Sequence, residues 1–118
     1  MEQVKITLST DEACMLKGLI SGELEVEEIK GTKYALALSE ILRKIREPIL
    51  QPYIMLTPEE IGALKFLLKE HIQTFRFGTE EDKELFMVRE VEEIFNRLPK
   101  SIEIPEYMKD ELETAIAR

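Results

Sequence analysis

The 118 residues carry 24 acidic and 16 basic side chains, a formal net charge of −8 at pH 7. This excess of acid argues against a dedicated nucleic-acid surface and against binding to a membrane surface, because both depend on exposed Lys and Arg. A chain of this length builds one hydrophobic core, whereas half of it would be marginal alone. We therefore expect a single domain over residues 1–118.

The N-terminus and the hydropathy pattern bear on location. No apolar run approaches the roughly 20 residues that cross a bilayer. The opening MEQVKITLST lacks the basic flank and the apolar core of a signal peptide. We therefore expect a cytoplasmic protein. Abundant Glu and Lys, with Asn96 as the only asparagine, resemble the composition of thermophile proteins.

Two segments resemble each other at an offset of 48 residues: LSTDEACMLKGLI at residues 8–20 and LTPEEIGALKFLL at residues 56–68. Ser9 and Thr57 fit helix N-caps, and a glutamate three residues later completes a capping box in each copy. Apolar residues at helical spacing follow both caps. The short alternating runs before the caps, VKITL and YIML, indicate extended structure. These runs either pair as a small two-stranded sheet or lead separately into their helices.

Each half continues into a second predicted helix. Residues 34–47 and 80–98 carry apolar side chains at helical spacing, and Pro48 and Pro99 follow as stop signals. A terminal helix over residues 106–117 offers an apolar face that fits a lid on the core.

The predicted fold class is mainly α, with two pseudo-repeated helix-hairpin halves, each preceded by a short extended segment, and a C-terminal helix. Generic helix starts look alike, so internal duplication and convergence both remain open. The expected parts are a first half at about 4–48, a second half at about 53–99 and a C-terminal helix at about 106–117.

No residue constellation predicts catalysis or metal binding. The loops GELEVEEIKG and TFRFGTEED lack the ligand spacing of an EF-hand. His71, the only histidine, lacks the spaced partners of the helical zinc and di-iron motifs, so we interpret it as a helix-end or exposed residue. Cys14 is interpreted as a small buried hydrophobe. We therefore predict no catalytic residues, no metal and no cofactor.

A basic group lies on and just before the second predicted helix. Its members Lys33, Arg43, Lys44 and Arg46 could bind a small ligand or nucleotide in the cleft between the two halves. Basic side chains at a helix C-terminus also complement the helix dipole, which explains most of the group without a ligand.

The fourth predicted helix is apolar on more than one side. Such a helix either lies at the centre of the fold, here under the terminal lid, or contacts another chain. The residues predicted to form an interaction surface are Phe75, Phe77, Leu85, Phe86, Met87, Val91 and Ile94.

Three functions are compatible with these patterns. The first is a small, acidic, non-catalytic protein-interaction or regulatory module that binds another protein or itself, as a homodimer, through apolar helix faces. The alternative is a small-ligand or nucleotide-binding domain that uses the cleft between the halves. The third is an enzyme that uses its carboxylates and His71. No membrane partner is expected, and nucleic acid is disfavoured.

Overall fold

The computed structural model describes residues 2–46 and 52–116. The predicted fold class is confirmed, because this part of the chain is mainly helical and contains a small two-stranded antiparallel sheet. None of its helices is long and apolar enough to span a bilayer. The elements in chain order are β1 (Val4–Thr7), α1 (Thr10–Leu24), a short 3-10 helix (Glu27–Ile29), α2 (Lys33–Arg46), β2 (Tyr53–Leu56), α3 (Pro58–Phe75), α4 (Glu80–Leu85), α5 (Val88–Arg97) and α6 (Glu106–Ile116).

The two strands pair with each other through the residues that the sequence repeat makes equivalent. Ile6 lies opposite Ile54, and the flanking pairs run antiparallel from there. These two residues are 48 positions apart, which is the offset of the repeat. Equivalent residues that face each other in an antiparallel pair lie on a local two-fold axis. Both isoleucines point into the core.

The predicted capping boxes are confirmed at the starts of α1 and α3. The backbone N–H of Glu12 donates to the Ser9 hydroxyl at 3.1 Å, and the Glu12 carboxylate accepts from the Ser9 N–H at 2.9 Å. Thr57 and Glu60 repeat this reciprocal pair at 3.2 and 2.8 Å. Both helices therefore begin where the local sequence predicts.

A basic side chain from α2 holds the start of the second half. The ammonium of Lys44 donates to the backbone carbonyl of Met55 at 2.8 Å and to the Glu60 carboxylate at 2.7 Å. Glu60 is only 6% exposed. A carboxylate this deep in the protein needs a charged partner, and the first half of the chain supplies it.

A basic side chain from α5 makes the matching contact on the first half. The guanidinium of Arg97 donates to the Thr7 carbonyl at 3.2 Å and to the Glu12 carboxylate at 2.7 Å. Thr7 and Glu12 lie 48 residues before Met55 and Glu60. We call the Lys44 and Arg97 contacts the two cross-half clamps.

The core lies between the inner face of the sheet and the helices packed on it. α1 packs on α2, α3 packs on both α2 and α5, and α6 packs against the 3-10 helix and α2. The terminal helix buries Met108 and Leu112 there. Its main contacts are therefore with the first half, whereas the sequence suggested a lid over the fourth predicted helix.

Several sequence expectations need correction. The predicted helix over residues 80–98 is broken into α4 and α5, because Met87 adopts a left-handed conformation with φ of 54°. Cys14 is exposed on α1 rather than buried. α3 continues to Phe75, beyond the expected end near His71. The expected ends of α2 at 47–48 and of α6 at 117 lie outside the described residues.

Two helical glycines predict opposite effects of adding a methyl group. A Cβ at Gly62 in α3 would lie 2.5 Å from Cδ of Pro105 and 3.3 Å from the carbonyl oxygen of Glu103, whereas a Cβ at Gly18 in α1 has nothing within 4 Å. We expect Gly62→Ala to lower the free energy of unfolding by about 1–3 kcal/mol, because the proline ring and backbone must shift. Gly18→Ala should raise it by about 0.5–1 kcal/mol. Urea denaturation measures both, and shifts in the same direction would contradict this packing.

The Arg97 clamp predicts a specific acid sensitivity. The hydrogen bond from Arg97, opposed by burial and aided by Ser9, lowers the pKa of Glu12 from 4.5 to about 2. Because the folded pKa lies below the unfolded one, this stabilisation is present above about pH 4.5 and is lost as the pH falls toward about 2. We expect Glu12→Gln to be less stable at pH 7 by about 1–2 kcal/mol. Its stability should also fall less steeply over that pH window in urea denaturation, and an unchanged slope would contradict the clamp.

Candidate functional site

The apolar residues that the sequence singled out divide into two groups. Val91 and Ile94 are fully buried, so they belong to the core and to no exposed surface of the chain. The other five lie together along the segment where α3 ends and α4 turns into α5. We call this group, which consists of Phe75, Phe77, Leu85, Phe86 and Met87, the corner. The exposed fraction is 90% for Phe77, 70% for Leu85, 47% for Met87 and 38% for Phe86, and Phe75 is half-buried.

Local sequence explains how the corner is formed. Thr79 caps α4 with its hydroxyl, which accepts from the backbone N–H of Asp82 at 3.1 Å. α4 is six residues long and contains no buried residue. The left-handed turn at Met87 then redirects the chain, so that Val88 enters the core while Leu85 remains outside. Periodicity alone missed this turn, because a continuous helix and a broken one share the same apolar spacing here.

Three packed rings hold the corner against α3. The rings of Phe75 and Phe86 are parallel within 13° at a centroid distance of 3.9 Å, and His71 packs on Phe75 at 4.9 Å. Nε2 of His71 lies 2.7 Å from the backbone carbonyl of Phe86. A carbonyl only accepts, so we assign the proton to Nε2. His71 therefore fixes the Phe86 backbone while Phe75 supports its ring.

Charges of both signs surround the corner. The carboxylate of Glu80 lies 3.6 Å from the Lys83 ammonium and 3.5 Å from the Arg89 guanidinium. The guanidinium of Arg76 lies 5.7 Å from the centroid of the Phe77 ring. The apolar residues thus have a mixed polar border rather than a purely acidic one.

The described members of the predicted basic group contact different partners. Lys44 is bound in its clamp, Arg43 donates to Glu40 at 2.9 Å, and the Lys33 ammonium lies 4.7 Å from the Tyr107 ring centroid. Lys33 and Lys44 are also about 16 Å apart along α2, given 1.5 Å per residue. The side chain of Arg46 lies outside the described part of the chain. These contacts support the α2 helix and its neighbours.

A groove of about 320 Å³ lies beside the corner, between α1 of the first half and α3 of the second. This groove therefore lies between the two halves, where the sequence predicted a ligand-binding cleft. Its lining contains two glutamates and none of the predicted basic residues. Its lining residues are Gly18, Leu19, Gly22, Glu23, Leu67, Glu70, His71, Thr74 and Phe75.

An acidic cluster with a buried phenol lies at this groove. Burial and the like charge of Glu70 raise the pKa of Glu23. Tyr34 is fully buried, and burial together with the Glu23 and Glu70 charges raises the pKa of its hydroxyl. Helical spacing identified Tyr34 only as the start of α2. The cluster combines three elements distant in sequence, so no local pattern could have predicted it.

A second, more open depression of about 660 Å³ lies between α3 and α6. Its charged lining residues have both signs, and Phe66 and Leu112 contribute apolar surface. Within residues 2–46 and 52–116, no group of three or more His, Cys, Asp and Glu side chains is arranged to hold a metal ion.

Comparisons with known proteins return no relative. No protein-family model matches the chain, and no curated protein or solved structure matches it significantly. We therefore infer the function from the chemistry of the corner and the groove.

The ring stack predicts a local role for His71. We expect His71→Ala to speed amide hydrogen exchange across α4 and the Met87 turn, equivalent to about 0.5–1.5 kcal/mol of local stability, because the Phe86 carbonyl loses its donor. His71→Gln retains a donor at a similar distance and should exchange more slowly than the alanine variant. Equal exchange in both variants would contradict the hydrogen bond.

Proposed function

We propose that the protein is an interaction module that self-associates through the corner. The observation that carries this proposal is the exposure of Phe77, Leu85, Phe86 and Met87 within one short segment. Single exposed apolar residues are ordinary on soluble proteins, whereas a contiguous group typically marks a contact with another molecule. The other large exposed hydrophobic residues, Val26, Leu36, Met55 and Tyr107, come from four separate elements or loops.

The internal support of the corner favours binding. The stacked rings of Phe75 and Phe86, together with the His71 hydrogen bond, hold an aromatic residue in a fixed position at the surface. An anchor that is already ordered loses less conformational entropy on binding. Buried aromatic anchors with a polar rim also commonly carry much of the binding energy at protein interfaces.

The border charges are compatible with a second copy of the same chain. Glu80 carries its negative charge next to the cations of Lys83 and Arg89. In a two-fold arrangement, each copy offers the other both signs of charge, so pairs can form across the interface. A border of one sign would instead have repelled a second copy.

Sedimentation equilibrium over a concentration series tests this proposal. We expect Phe77→Asp and Leu85→Glu to weaken dimerisation at least about tenfold, because each places a charge in an apolar contact. Both side chains are more than two-thirds exposed, so the monomer should stay folded. Leu36→Glu is the matched control, because Leu36 is 64% exposed on α2, outside the corner.

Two results would overturn the proposal. One is a wild-type monomer at every concentration up to the millimolar range. The other is a dimer that Leu36→Glu disrupts and the corner variants leave intact, which would move the interface to α2.

A further inference from the structure

The groove beside the corner has apolar walls and is open to solvent. Leu19, Leu67 and Phe75 supply hydrocarbon surface on its α1 and α3 sides. Gly18 and Gly22 form part of α1 at the groove, and a Cβ at either glycine would meet nothing within 4 Å. An apolar cavity of about 150 Å³ is enough for a benzene ring. The groove, at about 320 Å³, therefore has room for one aromatic side chain.

The corner presents an aromatic side chain that its own chain leaves uncovered. Phe77 is 90% exposed, whereas the rings of Phe75 and Phe86 pack on each other. The guanidinium of Arg76 lies 5.7 Å from the centroid of the Phe77 ring. An apolar ring in water gains free energy when another surface covers it. Phe77 therefore has the exposure of an interface anchor, and such anchors typically fill pockets on the partner.

The groove and the corner form one continuous surface. His71 and Phe75 line the groove, and the same two residues support Phe86 in the corner. Phe77 follows the end of α3 at Phe75 by two residues. In a two-fold dimer, each copy opposes its own surface to the same surface of the other copy. A second copy held at the corner therefore has its Phe77 close to the α3 end of this groove.

The charges next to the ring and next to the groove are complementary. Arg76 is exposed, and it forms no ion pair within residues 2–46 and 52–116. Glu23 and Glu70 contribute carboxylates to the groove lining. A guanidinium that arrives beside an entering Phe77 ring would therefore meet opposite charge there.

We propose that the groove of each copy receives the Phe77 ring of a second copy, with Arg76 beside the groove carboxylates. This contact rests on self-association through the corner and specifies how the two copies fit together. A surface that carries both a ring and a groove for that ring is self-complementary, which favours a second copy over an unrelated partner. The contact forms twice in a two-fold dimer, and the assembly closes at two copies.

Two substitutions remove the two sides of this contact separately. Phe77→Ala removes the ring, and Gly18→Leu fills the groove. We expect each to weaken the dimer at least about tenfold in sedimentation equilibrium, because each homodimer then loses both contacts. Both positions are exposed, and leucine has a higher helix propensity than glycine, so the monomers should stay folded.

An equimolar mixture of the two variants shows whether the ring and the groove touch. In the heterodimer, the ring of the Gly18→Leu copy faces the unfilled groove of the Phe77→Ala copy, so one contact is restored. We therefore expect a heterodimer association constant above the geometric mean of the two homodimer constants, after correction for random pairing. Independent substitutions would give the mean itself. Native mass spectrometry measures the three species, because the variants differ in mass.

Cys14→Leu is the matched control for Gly18→Leu. Cys14 is exposed on α1 and lies outside the groove lining, so the added side chain does not fill the groove. We expect this variant to dimerise as the wild type does. Its mixture with Phe77→Ala should give the geometric mean.

Arg76→Glu tests the charge beside the ring. The reversed charge would face Glu23 and Glu70, so we expect the dimer to weaken at least about threefold at low salt, and less at high salt. Lys17→Glu makes the same charge change on an exposed α1 residue outside the groove lining, and it should have the smaller effect.

Two results would overturn the groove contact and leave self-association through the corner intact. One is a dimer that Gly18→Leu does not weaken, which would leave the groove to a different occupant. The other is a Phe77→Ala and Gly18→Leu mixture at the geometric mean. In both cases Phe77→Asp and Leu85→Glu would still weaken the wild-type dimer. A wild-type monomer at every concentration would instead overturn both the contact and the self-association.

Discussion

Each half of this protein closes its first helix with a cation that belongs to the other half. Lys44 binds Glu60 and the Met55 carbonyl, and Arg97 binds Glu12 and the Thr7 carbonyl. Without the first half, the buried Glu60 carboxylate would keep its capping bond but lose its charge partner. Removing one partner of a buried ion pair strongly destabilises a protein, because the other charge is left buried without compensation. The intact ion pair, by contrast, stabilises the protein little more than well-packed apolar residues of the same volume would. The clamps therefore join the two halves, each of which would be marginal as a separate folding unit at its length.

The clamps also protect the sheet. A two-stranded sheet has two open edges, and open edges can recruit strands from other chains. The Leu8 N–H donates to the Pro52 carbonyl, so these two residues form a hydrogen-bonded pair of the antiparallel ladder. Hydrogen-bonded pairs recur at every second residue of each strand, so the next one is formed by Ile6 and Ile54. The carbonyls of Thr7 and Met55 must then face outward, and these are the groups that Arg97 and Lys44 occupy. The same two cations complete the charge pairs and cover the edges.

Features set by short stretches of sequence were predicted correctly, whereas the break between α4 and α5, which depends on the turn at Met87, was not. Capping boxes are short-range patterns, so both helix starts were predicted correctly. Across the second helices the offset changes, because Lys44 and its counterpart Arg97 are 53 residues apart rather than 48. At this larger offset, Leu38, Ile41 and Ile45 correspond to Val91, Ile94 and Leu98, all buried. The second half contains five additional residues before α5, and they account for the change of offset from 48 to 53 residues. These additional residues belong to the part of the chain that forms α4 and the exposed corner. The candidate groove required tertiary contact and had no sequence signal.

The features that depart from ordinary local preference gather at one end of α3. Met87 is left-handed without being glycine, Phe77 is almost fully exposed, and the Tyr34 hydroxyl is buried without a partner. Each departure costs free energy that the rest of the fold must offset, and such sites are commonly functional. His71 and Phe75 join them, because both residues line the groove and both support the corner.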